Sequence, residues 1–89
     1  MENIAYYLIK DTKIEYLGID VGLDALQEAV GGYIESINPS GAYEVAYCNE
    51  EGMLQGLETN VLASGLLKKV IVGPVVLGMR GNKEWMLSQ

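Results

Sequence analysis

Glu50 and Glu51 stand side by side between Cys48 and Gly52, the densest run of reactive side chains in this sequence. Paired carboxylates can act as general acid and base, but only if both face one substrate, and sequence neighbours in a turn point apart. Cys48 precedes these two acids, which raise a thiol's pKa rather than lower it, so it reads as a core residue and not as a nucleophile. The chain of 89 residues has no histidine. That removes the usual general base, the Ser–His and Cys–His pairs, and the common zinc sites, which draw on Cys and His. One cysteine also excludes an intramolecular disulfide. No catalytic residue, metal ligand or cofactor is expected.

Binding chemistry is better represented. The glycines form neither a GxGxxG fingerprint nor a P-loop. Arg80-Gly81-Asn82-Lys83 nevertheless reads as a turn in which two cations and exposed backbone N–H groups can hold a phosphate or carboxylate, against the plainer reading of solvated strand-end charge. The chain has six tyrosines and no phenylalanine. A ring with a hydroxyl needs one wet or hydrogen-bonded end, which suits rims and interfaces, although β-propensity alone also accounts for tyrosines in strands. Tyr33 is singled out because it follows Gly31-Gly32 directly, where it can face a cleft at a helix–strand junction.

The elements that must position these residues follow from periodicity. NIAYYLIK (3–10) and TKIEYLGID (12–20) read as two tightly joined strands. Leu23, Leu26 and Val30 recur at helical spacing, with Asp20 ahead of the first turn as a candidate cap and Asp24 inside it. Gly31 supplies the left-handed position that ends this helix, and Gly32 implies that the chain enters the next strand, YIESI (33–37), beside another backbone. Asn38 to Gly41 is a turn and AYEVAYC (42–48) completes a hairpin. Asn49 to Gly52 turns again, Met53-Leu54 opens a brief extended piece, and residues 58–67 form a weak helix or a loop. Residues 69–79 give one long buried strand or two short ones broken at Gly73-Pro74. EWMLSQ reads as a last strand or a helical turn packed through Trp85.

This describes one α+β domain over residues 1–89: a mixed or antiparallel sheet of about four to six strands with one or two short helices packed on it. The longest apolar stretch, Val70 to Met79, is about half of the ~20 residues a bilayer span needs, and Glu2 sits where a secretory signal carries positive charge, so a cytoplasmic protein is expected. The formal charge is −6, unevenly spread. Residues 1–60 hold eleven acids against Lys10 and Lys13, a net −9, while residues 61–89 carry a net +3. An acidic majority argues against direct nucleic-acid binding. A small core without disulfides or metal favours a homo-oligomer.

LDALQEAVGGYIES, AYCNEEGMLQGLETN, VIVGPVVLG and the closing LSQ together resemble a family of small proteins classed as domain of unknown function 3846, most clearly over residues 23–79. The resemblance implies a bacteriophage or mobile-element setting in a bacterial host, and places the family's recurring polar positions on Gln27, Gly31, Gly32, Tyr33, Glu35, Asn49, Glu50, Gly52 and Asn60. Pro74 departs from the family pattern. The reading that results is a non-enzymatic protein that sequesters a small polar or anionic molecule, such as a host signalling nucleotide. Tyr33, Asn49, Glu50, Asn60, Arg80 and Lys83 are its ligand-binding candidates, with Gly31, Gly32 and Gly52 in structural roles. The alternative is an inhibitor that occupies a host defence or regulatory protein through its acidic surface.

Overall fold

The computed structural model describes residues 3–39 and 43–80. Two hairpins flank a strand that arrives last. The strands β1 (Ile4–Lys10) and β2 (Lys13–Ile19) form the first hairpin, β3 (Ile34–Ile37) and β4 (Tyr43–Asn49) the second, and β5 (Val75–Arg80) inserts between them to give the order β2-β1-β5-β4-β3. Every neighbouring pair is antiparallel. The hairpin connection over Ser40 to Ala42, the turn expected after Arg80 and the tail with Lys83 and Trp85 lie outside the described residues.

Helices α1 (Leu23–Val30) and α2 (Val61–Leu67) cover opposite faces of the sheet. Successive strand residues point to opposite sides. Val76 accordingly packs with Leu26 and Val30 of α1, together with Tyr6, Leu8, Ile34 and Tyr47. Val75 and Leu77 instead pack with Ala63 and Leu67 of α2, together with Ile9, Ala46 and Ile71. A central strand buried on both faces has no polar side to show, which is why β5 reads as a nearly unbroken apolar run. Each fully buried aliphatic side chain contributes about 1.5–3 kcal/mol of transfer free energy.

Several expectations need correction. Asp20 does not cap α1, whose N-cap is Gly22 without a side-chain bond. Its carboxylate accepts from Ile4 N–H at 2.9 Å while its own N–H donates to Ile4 O at 2.8 Å, so it closes the open end of the first hairpin. Met53-Leu54 is not extended: residues 50–56 form a tight turn, because Gln55 N–H donates to Glu51 O and Leu57 N–H to Gly52 O. Residues 69–72 stand apart from β5 and join the rest through the isolated bridge Thr59–Val72 and through the bonds of Ile71 to Ser64 and Asn60, since Pro74 lacks an N–H to continue a ladder. Residues 61–67 are helical despite Gly65. Tyr33 falls just before β3 rather than within it.

The Gly31-Gly32 junction has two separate causes. Gly31 adopts φ +80°, and the N–H groups of Gly31 and Gly32 both reach Gln27 O, at 2.9 and 3.0 Å, which satisfies a carbonyl the helix leaves open. A Cβ on Gly32 would lie 3.1 Å from Asn49 Nδ2. The close neighbour is therefore a side chain, not the backbone that the sequence suggested.

Candidate functional site

Asn49 and Asn60 are the two buried carboxamide side chains among the described residues, and both are tied to backbone. Asn49 ends β4, where its Nδ2 donates to Val30 O at 3.1 Å and its Oδ1 accepts from Glu51 N–H at 2.7 Å. One carboxamide thus joins the end of α1 to the start of the 50–56 turn. Asn60 caps α2 by accepting from Ala63 N–H at 3.0 Å, and its Nδ2 donates to Ile9 O and to Gly73 O, each at 2.9 Å. It holds the end of β1, the start of α2 and the entry to β5 at one point. A buried amide with these partners is satisfied, and removing it would strand several backbone groups.

The other candidates are dispersed. Tyr33 is 69% exposed, and its carbonyl accepts from Glu50 N–H at 2.9 Å, so these two are neighbours. Arg80 lies at the opposite end of the sheet: it pairs with Ile4 in β1, whereas Asn49 and Asn60 lie toward the end where Val75 pairs with Cys48 and Ile9. At strand rise the five steps from Val75 to Arg80 span about 16 Å. Arg80 Nε binds Glu44 Oε1 at 2.9 Å. The structure therefore joins Tyr33, Asn49 and Glu50 at one end of the sheet, places Asn60 at a separate small hollow beside Lys10 and Pro74, and leaves Arg80 apart from all of them. Lys83 lies outside the described residues.

What the structure does build at the Asn49 end is an open cleft of about 480 Å³. Its floor is the α2 side of the second hairpin, where Glu35 and Ile37 of β3 stand beside Cys48 of β4. One wall is the 50–56 turn with Met53 and Leu54. The other is the 69–72 segment with Lys69 and Val70. Both walls are rigidly made. Ser64 Oγ accepts from Ile71 N–H at 2.9 Å, Asn60 N–H donates to Ile71 O at 2.8 Å, and Asn49 anchors the turn. Gly52 lets the walls meet at the base, since a Cβ there would lie 3.0 Å from Val72 Cγ2.

The rim is apolar and wet: Met53, Leu54 and Val70 are 84%, 86% and 80% exposed. Single exposed apolar residues are ordinary; here three border one cleft, held by hydrogen-bonded backbone. Glu35, Glu50 and Lys69 supply its charge. Burial, and then the Glu35 carboxylate, push the Cys48 thiol up, which keeps it protonated and a weak nucleophile. Sequence reasoning missed Met53, Leu54, Lys69 and Val70. The available signal was an apolar pair directly after an acidic turn.

A family model matches residues 4–88, and its description is Domain of unknown function (DUF3846). The chain belongs to the DUF3846 family. Within this DUF3846 member, the polar and glycine positions that the resemblance singled out separate by role: Gly31, Gly32, Asn49, Gly52 and Asn60 build the framework, while Glu35 and Glu50 line the cleft. No curated protein and no solved structure matches the chain. Among the described residues no helix is long and apolar enough to cross a membrane.

Proposed function

We propose that this DUF3846 protein is a non-enzymatic binding protein whose working surface is the cleft beside β3, and that its partner is a protein. The supporting observation is the exposed trio of Met53, Leu54 and Val70 on two stiff walls, with acidic groups at the floor and edge. Covering such a trio removes apolar area from water without first ordering a loop, which keeps the entropic cost of association low. A bacteriophage or mobile-element setting, implied by the family resemblance, would make that partner a host protein in the cytoplasm.

The test is co-purification from the native host with three forms of the full chain. The unaltered protein and a Glu44→Gln control retain one and the same partner, while Val70→Asp loses it without losing thermal stability. A partner held equally by Val70→Asp would overturn the reading.

A small polar or anionic ligand is the second reading, favoured by a cleft volume within the usual range for small-molecule sites and by Lys69 as the cation lining it. Calorimetric titration with a nucleotide panel addresses it: binding that Lys69→Ala weakens supports this reading, and no heat across the panel removes it.

A further inference from the structure

The strand that floors the cleft is also the outer strand of the sheet. Among the described residues nothing pairs with its outer edge. Which backbone groups face outward follows from one bond. Glu50 N–H donates to Tyr33 O, so residues 33 and 50 form a hydrogen-bonded pair, and the alternation of an antiparallel ladder makes Glu35–Cys48 and Ile37–Ala46 the next two. Ile34 and Ser36 therefore turn their N–H and C=O groups away from β4. The pairing of β3 with β4 has no register break. The other outer strand, β2, is blunted by a shift between Tyr6 and Tyr7 and by Gly18 at φ +142°. Bulged edges resist pairing, and straight ones invite it.

Resting on the protein-binding reading above, we propose that the partner enters as an extended segment that adds antiparallel to β3, with a basic residue beside Glu35 and an aliphatic residue beside Ile37. Residues 35 and 37 point to the cleft side, so the two incoming side chains are two positions apart, and the antiparallel direction puts the aliphatic one first. Ile37, Val70 and Leu54 line the cleft on whose side the aliphatic side chain would lie. Glu35 and Glu50 favour a cation near the start of β3, while Lys69 lines the opposite wall.

Charge also disfavours one of the two ways a second copy of this chain could pair at the same edge. Outward-facing residues must meet outward-facing residues, so two β3 strands can set Ile34 against Ser36 or Ser36 against Ser36. The first register stands Glu35 directly opposite Glu35 of the other copy on the same side, and the second stands it opposite Ile37. Like charges directly opposite are destabilising, and each chain already carries −6.

The test uses the full chain and an end-capped hexapeptide of threonine in which the third residue is leucine and the fifth is lysine. Titration followed by amide hydrogen exchange should show saturable binding, with exchange at Ile34 and Ser36 slowed at least about tenfold because those N–H groups become bonded. Glutamate in place of the peptide's lysine should weaken binding about tenfold. Ser36→Pro removes an outward N–H and no bond to β4, as edge prolines do, and should abolish binding. Should that variant fold poorly, the exchange measurement on the unaltered chain decides alone. No binding of the lysine peptide, equal binding of the glutamate peptide, or binding without protection at Ile34 and Ser36 would overturn strand addition. Loss of the host partner by Val70→Asp but not by Ser36→Pro would leave the protein-binding reading standing and remove this one. Concentration-dependent dimers abolished by Ser36→Pro would assign the edge to a second copy instead.

Discussion

Gly32 and Asn49 are fitted to each other: the Asn49 amide nitrogen lies 3.1 Å from where a Cβ on Gly32 would be, and the same nitrogen donates to Val30 O at 3.1 Å. The missing side chain at one residue makes room for the hydrogen bond of the other. That bond docks the end of α1 onto the end of β4, next to the turn that forms one wall of the cleft.

Gly32→Ala should therefore destabilise the protein by about 1–2 kcal/mol, through a displaced and partly unsatisfied amide rather than through backbone strain. Urea denaturation should show a lower midpoint with an unchanged slope. An unchanged midpoint would mean that the Asn49 contact yields freely.

Asn60 should matter more than Asn49, because its one carboxamide bonds Ile9 O, Gly73 O and Ala63 N–H. Asn60→Ala should cost about 3 kcal/mol, combining a lost helix cap with two stranded carbonyls. Asn60→Asp keeps the cap acceptor but turns a carboxylate toward two carbonyl oxygens, so it should be no better. Calorimetry would compare the three; an aspartate variant as stable as the parent would show that capping alone accounts for the residue.

Gly78 lies in the central strand on the α1 side, where a Cβ would meet Val45 Cγ2 at 2.5 Å, Ile4 Cγ2 at 2.8 Å and Tyr6 Cε1 at 3.1 Å. Neighbours on both sides leave little room to yield. Gly78→Ala should destabilise by about 1–3 kcal/mol, whereas Gly65→Ala, with nothing within 4 Å and inside α2, should stabilise by up to about 1 kcal/mol. Paired thermal denaturation of the two variants gives shifts of opposite sign.

Cys48 should alkylate slowly near neutral pH, because burial and the Glu35 carboxylate hold its thiol above the ordinary range. Glu35→Gln should speed iodoacetamide labelling at a given pH, and a cleft occupant should slow it. The same shift makes stability pH-dependent. The folded thiol keeps its proton where the unfolded one has lost it, so this contribution is complete below the unfolded pKa and is lost as pH rises from there through the folded value. Tyr6 and Tyr7, both pushed up first by burial, extend the loss above the ordinary phenol value of 10.0. Tyrosine absorbance should show the buried Tyr7 phenol ionising together with unfolding; its ionisation in the folded protein would contradict its burial.

The local elements were legible from residue order alone. Alternating β-branched and tyrosine residues marked both hairpins, the spacing of Leu23, Leu26 and Val30 marked α1, and Gly31 marked its end, because each signal depends on a few neighbouring φ/ψ preferences and on one buried face. The unbroken apolar run of β5 announced a strand covered on both sides. The absence of histidine and the scarcity of cysteine likewise followed from composition.

Only the tertiary structure decided what the polar residues do. Asn49 and Asn60 look like ligand-binding amides in a list of residues, yet their partners, Val30 O and Ile9 O, are 19 and 51 positions away and become partners only when the elements that carry them pack together. Residue order places Arg80 only a few residues beyond Gly73, the carbonyl that Asn60 binds, but strand direction carries it to the far end of the sheet. Met53, Leu54 and Val70 read as ordinary apolar residues until two walls from different segments bring them to one rim. Local preference acts over a few residues, whereas a site is a meeting of distant ones, and that meeting is fixed by strand order and register.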